Sequence, residues 1–124
     1  MQRSYLMKMT LPMTVDKKNI INLETFRAKG AKVFTGRDRG RYVRETSKLD
    51  ELAINNSEID IIIPDNIYSI NPSFFEELFL NVVTQFGKEE FTKRFHFISL
   101  GNYNYEKPLN EAIDRILRIK TAID

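Results

Sequence analysis

The pattern of hydrophobic and polar residues is clearest between Ile59 and Phe86, where a short apolar run precedes a helical repeat. Four of the five residues from Ile59 to Ile63 are isoleucine, which predicts a strand covered on both faces by helices. Pro64 cannot donate a hydrogen bond to a central ladder, so we expect the strand to end there.

A helix is predicted to begin at Asn71-Pro72-Ser73. Asparagine is a favoured N-cap and proline a favoured first helical residue. Ser73 and Glu76 also have the spacing of a capping box. The apolar residues that follow recur with helical spacing and predict a deeply packed helix that ends near Gly87: Phe74, Phe75, Leu78, Phe79, Val82, Val83 and Phe86.

The rest of the chain alternates between predicted strands and helices. Strands are expected at residues 19–23, 31–35 and 95–100, and helices at residues 42–53 and from residue 107 or 108 onward. This order predicts an α/β domain over residues 17–124, with a mixed, mainly parallel sheet of four to five strands and flanking helices.

Residues 1–16 are interpreted as an N-terminal arm or edge strand. Its apolar residues alternate with polar ones, and Pro12 favours an edge position. The arm could add to the sheet of its own chain or of a partner, or could be a leader without fixed structure. The alternating apolar residues are Met7, Met9, Leu11 and Met13.

Composition narrows the function classes. The 124 residues suffice for one domain with a real core. The absence of cysteine excludes disulfides, thiol chemistry and thiolate metal sites. No apolar run reaches the length of a membrane helix, and no signal-peptide pattern is visible, so a cytoplasmic location is expected.

Positive charge is concentrated in the first half of the chain and especially in one arginine cluster. Residues 1–57 hold 12 Lys and Arg against 6 Asp and Glu. The cluster could bind a phosphate or a charged partner, or could be a salt-bridged helix entrance. Its glycine spacing fits neither a P-loop nor a dinucleotide fingerprint. The candidate anion-binding residues are Arg37, Arg39, Arg41 and Arg44.

No constellation of residues predicts catalysis. His96 is the only histidine, and with no second histidine or cysteine nearby in sequence it is interpreted as a packed strand residue. No nucleophile and base pair is recognisable along the sequence. The sequence therefore predicts no metal, no cofactor and no enzymatic activity.

Two stretches carry a family resemblance. INPSFFEELFLNVVTQFGKEEFTKRFHFISL (residues 70–100) and the upstream TGRDRGRYVRE (residues 35–45) resemble the STAS-like domains labelled DUF4325. The likeness spans roughly residues 34–119. It implies a STAS-type sheet with flanking helices, and a regulatory binding role related to that of anti-sigma-factor antagonists.

The resemblance also implies a partner and a contact surface. In several relatives the domain is encoded beside, or fused to, a histidine-kinase-like ATP-binding protein, so such a partner is expected. A homodimer is an alternative assembly. The second function considered is binding of a phosphate ligand or nucleic acid by the arginine cluster. Under the first function, nucleic acid is not expected as a partner. The candidate partner-binding residues lie around the start of the central helix: Ser69, Asn71, Ser73, Glu76 and Glu77.

Ser73 is also a candidate phosphorylation site. In anti-sigma-factor antagonists, an Asp-Ser-Ser motif at the start of the corresponding helix includes the serine that the partner kinase phosphorylates. Here the phosphoacceptor position falls on Pro72, which has no hydroxyl. Ser73 lies one residue further along, where the helix dipole favours a phosphate.

Overall fold

Within residues 19–123, the short apolar runs of the sequence form five strands, separated by five α-helices and one short 3₁₀ segment. The computed structural model describes residues 19–123, and the predicted N-terminal arm lies outside this range. In chain order the elements are β1 (Ile20–Asn22), the 3₁₀ segment (Leu23–Phe26), β2 (Val33–Phe34), α1 (Arg37–Ser47), α2 (Leu49–Asn55), β3 (Ile59–Ile63), β4 (Ser69–Ile70), α3 (Pro72–Leu78), α4 (Leu80–Arg94), β5 (Phe95–Ser99) and α5 (Glu106–Ile123).

The strands form two parallel sheets. The larger sheet has the order β1-β3-β5, and the smaller one pairs β2 with β4. In the larger sheet Ile61 of β3 lies between Ile21 and Phe97. The α/β class, the number of strands and the flanking helices are confirmed. Every described pairing is parallel, and the strands are divided between two sheets.

The helices lie on one face of the three-stranded sheet, because both crossovers step in the same direction across it. Accordingly, α1 packs on α3, and α5 packs on α3 and α4. Ile61 points into this layer and is fully buried, whereas Ile62 is half-buried and Ile98 is 42% exposed on the other face. The expectation that β3 is covered on both faces by helices is therefore wrong for the described residues.

Two helices are interrupted where one continuous helix was predicted. Lys48 adopts a left-handed conformation (φ 57°, ψ 42°) and separates α1 from α2. The central helix breaks at Phe79 (φ −104°, ψ 11°), which separates α3 from α4. Gly87, the predicted end, leaves the helical conformation (φ 81°, ψ 167°), and a further helical segment follows it as far as Arg94.

Phenylalanine side chains build the centre of the core between the central helix and β5. The ring centroid of Phe79 lies 5.1–5.8 Å from those of four other phenylalanines. Phe91, in the helical segment after Gly87, is one of them and is buried. The other three are Phe75, Phe95 and Phe97.

Candidate functional site

The start of α3 is capped as the sequence predicts. The side-chain oxygen of Asn71 accepts hydrogen bonds from the Ser73 amide (2.9 Å) and the Ser73 hydroxyl (2.8 Å), and Pro72 is the first helical residue. The alternative capping box is not formed, because the Glu76 carboxylate binds Arg37 instead of reaching back along the helix. The helix start is thus fixed by Asn71.

A small exposed surface lies beside this helix start on the β2–β4 sheet. Val33 and Ser69 are paired neighbours, and both are exposed. The Tyr68 side chain is 70% exposed, and the Lys32 ammonium lies 4.9 Å from the centre of its ring. We call this the β2–β4 surface and define it by Lys32, Val33, Tyr68, Ser69 and Asn71.

The backbone beneath the β2–β4 surface is held from both sides. Tyr68 donates its amide hydrogen to the Lys32 carbonyl (2.7 Å), and Asn71 donates to the Phe34 carbonyl (2.8 Å). On the other side of β4, the hydroxyl of Tyr103 accepts a hydrogen bond from the Ile70 amide (3.0 Å). The backbone of these two short strands is therefore hydrogen-bonded on both sides of β4.

The predicted arginine cluster and two of the predicted partner-binding residues bind each other. Arg37 lies 3.4 Å from the Glu76 carboxylate and 3.9 Å from that of Glu77. Arg44 lies 3.4 Å from the Glu77 carboxylate and also donates to its carbonyl oxygen. We call this set the α1–α3 network; it consists of Arg37, Arg41, Arg44, Glu76, Glu77 and Arg115.

The remaining members of the network are two further arginines, Arg41 and Arg115. Arg41 lies 2.7 Å from Asp38 and 4.0 Å from the Glu77 carboxylate. Arg115 of α5 lies 3.7 Å from the Glu76 carboxylate. Arg39 points elsewhere, and its guanidinium lies 5.6 Å from the ring centre of Tyr42. This geometry is that of a salt-bridged helix entrance, and an external phosphate would have to compete with carboxylates already in place.

Burial separates the five candidate partner-binding residues into two groups. Ser69 and Asn71 are exposed and Ser73 is partly exposed. Glu76 is only 4% exposed, so its carboxylate offers little surface to a partner. Glu77 is partly buried within the network.

Sequence reasoning missed three residues of the β2–β4 surface: Lys32, Val33 and Tyr68. They come together because β2 pairs with β4 across α1, α2 and β3. No local pattern marks such a distant pairing. The sequence offered one signal: the polar pair Tyr68-Ser69 follows soon after Asp65-Asn66, where the chain bends.

Residues 19–123 were also compared with the requirements of a metal site and of a membrane-spanning helix. That part of the chain contains no cluster of three or more acidic or histidine side chains able to hold a metal ion. His96 lies on the exposed face of β5, with its Nε2 atom 3.4 Å from the Glu58 carboxylate, so it is a strand residue as predicted but the expectation that it is packed is wrong. In the same range, no helix combines the length and the hydrophobicity needed to cross a bilayer.

In the comparison with known proteins, one region of the chain matches a family model. No curated protein and no solved structure matches the chain. The matched region is narrower than the resemblance predicted, and it covers the candidate surface from Tyr68 to Ser73 and both segments of the central helix. Residues 65–105 match the family model of the STAS-like domain of unknown function (DUF4325).

Proposed function

We propose that this protein is a non-catalytic regulatory module that binds a protein partner through the β2–β4 surface and the adjoining start of α3. The observation that carries this proposal is the exposure of Tyr68 (70%) and Val33 (44%) on hydrogen-bonded backbone near Asn71 and Ser73. A tyrosine held in this way supplies a large contact area at a small entropic cost.

The chemistry of the surface favours an acidic and partly apolar contact. The Lys32 ammonium lies over the Tyr68 ring and supplies positive charge within the surface. Positive charge at the rim of an apolar patch steers partners of opposite charge and suppresses others. The partner that we propose, on the expectation from the STAS-like family, is a histidine-kinase-like ATP-binding protein.

The alternative function, phosphate-ligand or nucleic-acid binding by the arginine cluster, gains no support from this geometry. Three of its four arginines already bind carboxylates of the same chain. The proposed function uses the exposed residues of the β2–β4 surface instead.

The proposal is tested by calorimetric titration of the protein with a histidine-kinase-like ATP-binding protein from the same organism. We expect Val33→Asp and Tyr68→Ala each to weaken binding by about tenfold or more, because central apolar and tyrosine contacts dominate interface energies. Ile119→Asp is the matched control, since Ile119 is a half-exposed apolar residue on α5.

Two results would count against the surface. If the two variants bind like the wild type, the β2–β4 surface is not the contact. If Ile119→Asp weakens binding as much as they do, the contact lies elsewhere. Circular dichroism of all variants separates loss of binding from loss of fold.

Phosphorylation of Ser73 stays a separate prediction. The Ser73 hydroxyl is partly exposed and donates to Asn71 in the helix cap. Incubation with the partner and ATP, followed by peptide mass mapping, should place a phosphate on Ser73 and lose it in Ser73→Ala. An unmodified Ser73 would exclude the switch without affecting the binding proposal.

A further inference from the structure

Arg27 contacts both segments of the chain that lead into the β2–β4 surface. It directly follows the 3₁₀ segment, and its side chain is only 13% exposed. Its Nη1 atom donates to the Ala31 carbonyl (3.4 Å) and to the Asn66 carbonyl (3.2 Å). Ala31 directly precedes Lys32, and Asn66 lies two residues before Tyr68. A single guanidinium therefore joins the chain before β2 to the chain before β4.

The other edge of the same guanidinium is held by Glu24. The Nη2 atom lies 2.5 Å from one carboxylate oxygen, and the Nε atom lies 3.4 Å from the other. This two-point contact fixes the plane of the guanidinium as well as its position. Glu24 belongs to the 3₁₀ segment, and its amide donates to the side chain of Asn22, the N-cap of that segment (3.0 Å). Contacts within residues 22–27 thus set the direction in which Arg27 presents its Nη1 atom.

The two short strands contribute little of their own to the alignment of the surface. β2 and β4 have two residues each and are joined by two residue pairs. Before β4, Asn66 adopts a left-handed conformation (φ 59°), which asparagine tolerates but which its own preference does not impose. The hydrogen bond from Arg27 to the Asn66 carbonyl supplies a long-range contact at this place.

Lys32 and Tyr68 depend on this alignment because they contact each other from distant parts of the sequence. The Lys32 ammonium lies 4.9 Å from the centre of the Tyr68 ring and 3.4 Å from the phenolic oxygen. The attraction between a cation and an aromatic ring requires the cation to lie over the face of the ring. A shift of one segment relative to the other would therefore separate the pair.

We propose that Arg27 is a positioning residue that aligns Lys32 with Tyr68 and so sets the shape and charge of the β2–β4 surface. The inference rests on the proposed function, because it concerns the same contact surface. The guanidinium of Arg27 is engaged within the chain by one carboxylate and two backbone carbonyls, so it acts through Lys32 and Tyr68 and does not itself contact the partner.

NMR spectra of the isolated protein test the alignment without a partner. Side-chain protons of Lys32 that lie over the Tyr68 ring are shifted upfield by its ring current and show NOEs to the ring. Tyr68→Ala, which has no ring, gives the position of the unshifted signals. We expect Arg27→Gln to lose most of the upfield shift and the NOEs, because the shorter, uncharged side chain cannot bind both carbonyls and the carboxylate.

Arg94→Gln is the matched control. Arg94 also pairs with a glutamate, Glu90 (2.8 Å), and its Nη1 atom also donates to two backbone carbonyls, those of Ala53 and Asn56. Its replacement should lower stability while leaving the Lys32 signals in place. An equal change of these signals in Arg94→Gln would refute a specific role for Arg27.

Arg27→Lys is a second variant, which is examined if circular dichroism shows that Arg27→Gln does not fold. Lysine keeps the charge but lacks the planar fork of donors, so the Lys32 signals should again move toward their unshifted positions. Unchanged signals in a folded Arg27 variant would overturn the proposal.

Calorimetric titration with the histidine-kinase-like protein distinguishes this inference from the proposed function. We expect Arg27→Gln to weaken binding by about tenfold and Arg94→Gln by less than about twofold. If Tyr68→Ala weakens binding and Arg27→Gln does not, the positioning role is wrong. If neither variant weakens binding, the proposed function is wrong, and the NMR signals alone decide whether Arg27 aligns Lys32 with Tyr68.

Discussion

Gly40 of α1 lies directly against the carbonyl oxygen of Phe74 in α3. A Cβ atom on residue 40 would come too close to that oxygen and would lie 3.0 Å from the Cβ of Glu77. The two helices can approach this closely only because residue 40 has no side chain. The same approach brings Arg37 and Arg44 within reach of the two glutamates of α3.

Replacing Gly40 should therefore destabilise the fold, although alanine at an exposed helix position usually stabilises the helix relative to glycine. We expect Gly40→Ala to lower the free energy of unfolding by about 1–3 kcal/mol, since backbone must move to relieve the overlap. Urea unfolding measures the change. Thr46→Ala on the exposed side of α1 is the control and should be neutral or slightly stabilising. If Gly40→Ala is instead more stable than the wild type, α1 and α3 do not approach as closely as described.

The sequence predicts the elements better than it predicts their contacts. The isoleucine run, the Asn71 cap and the position of Gly87 are local signals, and each corresponds to a feature of the structure. The break at Lys48 has no such signal, because lysine seldom adopts a left-handed conformation and tertiary packing overrides its preference.

The candidate site shows the same limit. The helix start was predictable because caps and proline act within a few residues. A salt-bridged helix entrance was one of the two interpretations of the arginine cluster, but its carboxylate partners were not predictable, because Arg37 and Glu76 are far apart in sequence and meet only when α1 packs on α3. The face of the larger sheet that carries no helix among residues 19–123 was missed because isoleucine suits half-buried strands as well as buried ones.

The buried carboxylate of Glu76 should contribute more to stability than an exposed one. Its side chain is 5% exposed and binds Arg37 and Arg115. We expect Glu76→Gln to lower the free energy of unfolding by about 1–3 kcal/mol, because two guanidinium groups lose a charged acceptor.

Glu111→Gln is the control for this substitution. Glu111 binds the same Arg115 (3.1 Å) but is half-exposed, so its loss should cost less than about 1 kcal/mol. A double-mutant cycle of Glu76→Gln with Arg37→Gln measures the pair directly. Equal effects of the two glutamate substitutions would show that burial adds nothing to this ion pair.

Removal of the Phe79 ring should be among the most damaging substitutions in the core. The side chain is 1% exposed and contacts phenylalanines from both segments of the central helix and from β5. Phe79→Ala should lower the free energy of unfolding by about 3–5 kcal/mol through loss of burial and creation of a cavity. Ile54→Ala, at a position 64% exposed, should stay within about 0.5 kcal/mol of the wild type. A small effect of Phe79→Ala in chemical denaturation would contradict the packing described.

Stability should decrease in alkaline solution because of Tyr105. Its ring stacks on Phe97 with centroids 5.4 Å apart, and burial, aided by the neighbouring Glu106 carboxylate, raises the pKa of the Tyr105 hydroxyl above its ordinary value of 10.0. The unfolded chain then ionises at lower pH than the folded one, so this contribution is fully present below about pH 10 and is lost as pH rises through the folded pKa. Urea unfolding of wild type and Tyr105→Phe across this range should show a steeper decline in the wild type. A parallel pH dependence of the two proteins would mean that Tyr105 ionises equally in the folded and unfolded chains.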